Sequence, residues 1–340
     1  MQEQIIAKAK ELLQNGTVDR VLGWKVGEFK YDLTPGVFTS ADEVDREFVY
    51  NTFSGANLSK YLVKQTRKGE GKIAIFVKPC DSYSLQQLIK EHRVDREKVY
   101  IVGIECFGKT DINKIKATGL SGISDITEDD DSIVVETIYG DKKTFKKFEV
   151  MAERCLSCKS KKIVIYDELI GENGEVLDSN RFDHVAELEA MTPDERFEFW
   201  QNELSKCIRC NACRNVCPAC TCEKCVFDND NSGVAQKAAQ TSFEESNFHI
   251  IRAFHVAGRC TDCGECSRVC PQNIPLHLLN RKFIKDANEL YGEYQAGEDA
   301  DSRFPLVNFD YNDCEPSVVY EKRRTKVMKK ISMSQIDSLF

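Results

Sequence analysis

In the N-terminal third of the chain the apolar positions switch between a helical and a strand period. Ile5, Ile6, Ala9, Leu12 and Leu13 recur at helical spacing within Gln2–Leu13, and Gly16 closes that helix. Val18–Val26 reads as a strand and Leu58–Thr66 as a helix. Lys72–Val77 and Val99–Ile104 are short apolar runs of the kind buried on both faces of a sheet. Between them, Asp81 is expected to cap a helix reaching Glu91, with Leu85, Leu88 and Ile89 on one face. Two buried strands joined by such a helix predict a βαβ unit and a parallel sheet. Ser132–Thr137 and Lys143–Phe148 predict a hairpin turning at Gly140-Asp141. An α/β domain with a small parallel or mixed sheet is therefore expected over residues 1–175.

Beyond it the helical period dominates. Thr192-Pro193-Asp194-Glu195 is a capping box with proline at the first helical position, opening a helix to about Lys206. Ser242-Phe243-Glu244-Glu245 is a second box, whose helix passes Phe254 and ends near Gly258. Leu276–Tyr291 is a third helix, closed by Gly292. An all-α domain is expected over 176–295, then an irregular, partner-contacting tail over 296–340. No apolar run approaches the roughly 20 residues that span a bilayer. The N-terminus carries acids and lacks the form of a secretory signal. The net charge of −8 argues against a nucleic-acid partner.

Cysteine usage changes the picture. Of 16 cysteines, two lie in residues 1–150 and thirteen in 151–270. Without an export signal, so many thiols point to a reducing, cytoplasmic setting and to metal rather than disulfides. Cys207, Cys210, Cys213 and Cys217 precede Pro218; Cys260, Cys263, Cys266 and Cys270 precede Pro271. Each run reads C-x2-C-x2-C-x3-C-P, the spacing that wraps a tetranuclear iron–sulfur cluster with three thiolates and lends the fourth to its neighbour. On that logic Cys207, Cys210, Cys213 and Cys270 hold a first 4Fe-4S cluster, and Cys217, Cys260, Cys263 and Cys266 a second. Arg209, Arg214, Arg259 and Arg268 either balance cluster charge or are solvated surface cations.

Cys80 follows one buried strand and Cys106 the next, at the carboxyl edge where parallel sheets bind ligands. Cys155 and Cys158 form a C-x2-C pair just beyond. The four either hold a third 4Fe-4S cluster or split into two buried thiols and a zinc or redox pair. Cys220, Cys222 and Cys225 are either inert thiols or an additional metal site completed by Cys314. His92, His184, His249, His255 and His277 read as structural, because both thiolate sets are already complete.

Two family resemblances follow from these motifs. CIRCNACRNVCP and GRCTDCGECSRVCPQNIPL, with a 42-residue insert between them (Pro218 to Arg259), resemble the helical dicluster ferredoxin domain of succinate dehydrogenase and heterodisulfide reductase subunits. The Cys-x-Cys after the proline is similar to that of electron-transfer subunits of anaerobic sulfite reductase and sulfhydrogenase. IAIFVKPCDSYSLQQLIKEHRVDREKVYIVGIECFGKTD resembles the beta subunits of deazaflavin-reducing hydrogenases and formate dehydrogenases, over about residues 1–175. That resemblance implies FAD and electron exchange with a two-electron carrier. No G-x-G-x-x-G follows any strand, and the dicluster part follows the flavin-type part rather than preceding it.

The expected function is an electron-transfer subunit of an anaerobic oxidoreductase complex. Its catalytic partner would be a formate dehydrogenase, a hydrogenase or a heterodisulfide-reductase-type flavoprotein. The alternative is a flavin-containing subunit that itself exchanges hydride with a deazaflavin or NAD(P)H. No serine–histidine–aspartate set, phosphate loop or HExxH supports chemistry on another substrate.

Overall fold

The structure, a computed structural model, describes residues 1–229 and 242–305. The N-terminal region is α/β. Helix α1 (Gln2–Gln14) buries Ile5, Ala9 and Leu12. β1 (Arg20–Val26) pairs antiparallel with β2 (Leu33–Phe38), then come α2 (Ala41–Glu47) and α3 (Ser59–Lys68). β3 (Ile73–Val77), α4 (Pro79–Lys90) and β4 (Val99–Ile104) form the expected βαβ unit, with Ile73 opposite Val99 in parallel register. A last parallel strand, named β8 below (Glu168–Ile170), joins β4, giving a mixed five-stranded sheet in the order β2-β1-β3-β4-β8.

Several boundaries differ from expectation. α4 begins at Pro79, so Asp81 is the third residue of its first turn and not the cap. There its carboxylate accepts from the Lys78 ammonium at 2.6 Å. β2 was not expected because Pro35 and Gly36 interrupt it; it survives as an edge strand, where a missing N–H costs no ladder bond. After α5 (Ile112–Lys116), the hairpin gains a partner. β5 (Ile123–Glu128), β6 (Ser132–Thr137) and β7 (Lys142–Lys146) make a separate three-stranded antiparallel sheet. β5 escapes a period-two reading because its register shifts between Ile123 and Asp125.

α6 (Glu153–Leu156) leads into β8, after which the regular elements described are helices: α7 (Asp183–Ala190), α8 (Pro193–Ser205), α9 (Ala212–Val216), α10 (Ser242–Val256), α11 (Glu265–Arg268) and α12 (Leu276–Tyr291). The Thr192–Glu195 capping box is present, with Glu195 N donating to Thr192 Oγ1 at 3.3 Å. The cap expected of Ser242, and everything past residue 305 including Cys314, lie outside the described residues.

The helical half packs on the sheet half through buried polar groups. Glu265 is fully buried: it accepts from Asn57 N at 3.1 Å and from Arg268 Nε at 2.7 Å, and it pairs with Arg154. Ser84 and Thr261 share a hydroxyl–hydroxyl bond of 2.7 Å.

Candidate metal centre

The sheet edge gathers four cysteines from three stretches of chain. β3 ends just before Lys78-Pro79-Cys80, and Cys106 stands two residues past β4. α6 carries Cys155, and Cys158 follows it. One cavity is lined by Cys80, Cys106, Cys155 and Cys158 together, and Cys263 of the second run lines the same cavity. Lys78, Lys109, Arg154, Lys159 and Lys161 complete its wall. Burial pushes the Cys80 thiol well above its usual range, with Asp81 adding to the effect, and burial raises Cys158 too. Burial also lowers Lys109 and Lys159, each to about 8. Lys109 Nζ donates to Asn51 O at 3.0 Å and lies 3.9 Å from the centre of the Tyr50 ring. Thiols buried among ammonium and guanidinium groups match a thiolate-ligated anion: the cations offset the charge that burial penalises.

In the helical half the two runs share a backbone device. Arg209 and Asn211 have φ of 52° and 61°; Asp262 and Gly264 have 57° and 68°. These are the residues two and four beyond the first cysteine of each run. Left-handed residues at matching places give the two runs the same local curl. A second cavity is lined by Cys207, Cys210, Cys213 and Cys270, walled by Phe248, Ile274 and Leu276. The fourth cysteine of the second run thus joins three of the first. Reciprocally, Cys217 packs beside Cys260, and its charge acts on Cys260, Cys263 and Cys266. Burial raises Cys207 and Cys260 to about 12. A hydrogen bond from Cys220 lowers Cys217 to about 5, against the effect of burial and with help from Arg252 and Lys60.

Cys222 is exposed and Cys225 precedes a 3-10 turn at Val226–Asp228. Among the described residues the one group of three potential ligand atoms within 4.8 Å of one another is Cys207, Glu245 and His249. Cys220, Cys222 and Cys225 do not close to the spacing of a single tetrahedral ion.

Three residues were missed in the sequence. His249, read there as structural, brings Nε2 to 3.2 Å from Cys207 Sγ; burial lowers its pKa to about 3, so it is a neutral ring. It stands one turn from Glu245 on α10, a spacing visible in the sequence, but which face α10 turns inward is not. Arg154 reaches from α6 to Cys263 O at 3.1 Å. Arg252 donates to Cys213 O at 3.2 Å. The four arginines singled out from sequence each meet a carboxylate instead: Arg209 with Glu245, Arg214 with Asp228, Arg259 with Glu91 and Arg268 with Glu265.

Comparison with known proteins agrees with this donor chemistry. Residues 203–274 match the family described as 4Fe-4S dicluster domain. The chain is 24% identical to the F420-dependent formate dehydrogenase subunit beta of Methanocaldococcus jannaschii, covering 90% of this chain and 94% of that one. It is 25% identical to the F420-dependent formate dehydrogenase 1 subunit beta of Methanococcus maripaludis, over 66% of this chain and 74% of that one. A chain of the xenon-derivatised F420-reducing [NiFe] hydrogenase complex from Methanosarcina barkeri aligns over 61% of this chain and 90% of its own, at 13% identity and a TM-score of 0.37, too loosely to argue from. No helix among the described residues is long and apolar enough to cross a membrane. The chain is an iron–sulfur electron-transfer subunit of an oxidoreductase complex, similar to formate dehydrogenase beta subunits and containing a 4Fe-4S dicluster domain.

Proposed function

We propose that the chain relays single electrons through three 4Fe-4S clusters, between a catalytic partner and a second acceptor. Cys80, Cys106, Cys155 and Cys158 would hold the cluster at the sheet edge. Cys217, Cys260, Cys263 and Cys266 would hold the middle one, and Cys207, Cys210, Cys213 and Cys270 the outer one. When bound, such clusters supply one-electron redox steps. The observation that carries the reading is Cys263, which belongs to the middle set and lines the sheet-edge cavity. The two sites are therefore wall to wall, and Cys210 is exposed at the far end of the row.

The residues of this chain do the rest. Phe248, Ile274 and Leu276 wall the outer site on its apolar side and leave Cys210 open to solvent. Lys109, Lys159 and Arg154 offset anionic charge at the sheet edge. His249 orients and hydrogen-bonds the Cys207 sulfur. The relatives' names favour formate dehydrogenase as the partner class over a hydrogenase or a heterodisulfide-reductase-type flavoprotein. The setting would be the cytoplasm. A separate cleft at the end of β4 carries Glu105, Glu128, Asp129 and Asp130 against Lys109 and Lys147, an acidic balance that opposes a pyrophosphate.

Replacing Cys263 tests the relay. In Cys263→Ser, the middle cluster should be lost and electron transfer from the partner to the distal acceptor should stop, while the partner's own oxidation with an artificial dye continues. Full relay activity in that variant refutes the assignment.

A further inference from the structure

Arg252 lies near the middle of the helical half on α10 and is 3% exposed. Its Nη2 donates to Cys213 O at 3.2 Å, and its buried Nε has no partner among the described residues. No described carboxylate pairs with it, unlike Arg209, Arg214, Arg259 and Arg268. The thiols whose charge it feels include Cys217, Cys266, Cys213 and Cys220, and the nearby Lys60 ammonium opposes it. Cys213 belongs to the outer proposed set, and Cys217 and Cys266 to the middle one. A buried guanidinium without a carboxylate costs several kcal/mol unless other anions surround it. Among the described residues, the groups that supply such charge when ionised are the sulfurs of the two neighbouring sites and of Cys220.

Resting on the relay reading above, we propose that Arg252 is an electrostatic bridge between the outer and middle clusters. One fixed positive charge shared by both sites favours the electron-rich state of each. It raises both potentials together and so leaves the energy of the step between them unchanged. That step moves one electron from one site to the other, with no proton and no bond made or broken. His249 differs in kind, because its Nε2 meets the Cys207 sulfur of the outer site. Arg252 is a positioning residue in this sense: it orders charge around the sites and does not ligate them.

The test is an EPR-monitored redox titration of anaerobically prepared full-length protein, comparing wild type, Arg252→Met and Arg252→Lys. Iron and sulfide are counted first in each. The expected result is a fall of both dicluster midpoints in Arg252→Met, by similar amounts, with the sheet-edge signal unmoved. Arg252→Lys, which keeps the charge, should recover most of the shift. Movement of one midpoint alone, or of neither, with iron content intact, overturns the proposal. If Arg252→Met fails to load iron, Arg252→Gln, equally neutral and able to donate to Cys213 O, is titrated in its place with the same two outcomes; failure of both to load iron overturns the proposal, because it makes Arg252 a structural requirement of the sites. Wild type without iron would instead remove the relay reading itself, a distinct failure.

Discussion

At the sheet edge, Cys80, Cys106, Cys155 and Cys158 converge only because β3 and β4 are parallel neighbours and α6 folds back over their ends. In the helical half, three cysteines of each site come from seven consecutive residues, and only the fourth is borrowed. The first arrangement depends on tertiary structure throughout. The second is largely made by backbone conformation at Arg209, Asn211, Asp262 and Gly264. The compensating charges differ as well. Lysines and Arg154 ring the sheet-edge cavity, whereas Arg252 and Lys60 stand by Cys217 of the helical half. Where ligands are assembled from afar, the fold brings a cation along with each thiol: Lys78, Lys109, Arg154 and Lys159.

The joint between the two regions is the sharpest place to break the comparison. Glu265 is fully buried and bound to Arg154 of the sheet half and to Arg268 of its own helix. Glu265→Gln leaves two guanidinium groups short of charge and should cost about 3 kcal/mol, the range found when one partner of a buried pair is removed. Urea unfolding checks it, and a loss below 1 kcal/mol would mean the halves are not held together there.

A smaller effect separates the two runs. Gly264 has φ of 68°, and a Cβ there would stand 2.7 Å from Arg154 Cβ. Its counterpart in the first run, Asn211, already carries a side chain at φ 61°. Gly264→Asn should therefore destabilise the protein by about 2 kcal/mol, and Asn211→Gly by a few tenths at most. Equal effects in thermal melts would show that Arg154 does not distinguish the runs.

The sequence made the metal chemistry legible because C-x2-C-x2-C-x3-C-P is a local statement of geometry, repeated with its proline. Cys80 and Cys106 were readable too, since strand ends at a parallel edge follow from the apolar runs around Ile75 and Ile101. β2 and β5 were not, because Pro35-Gly36 and the shift near Asp125 disguise their alternation. Arg252, Arg154 and His249 stayed hidden for another reason. Whether a cation or a ring faces a thiol depends on how α10 and α6 rotate against their neighbours, and a helical sequence presents many such faces.

The central claim is that thiolates of both halves hold iron–sulfur clusters in one continuous row. Counting iron and acid-labile sulfide in protein purified without oxygen tests it most directly, in wild type and in Cys106→Ser. The account predicts about twelve irons and as many sulfides per wild-type chain, and about eight in the variant, where the sheet-edge site is disabled. An equal count in the two proteins, or zinc in place of iron, would contradict it.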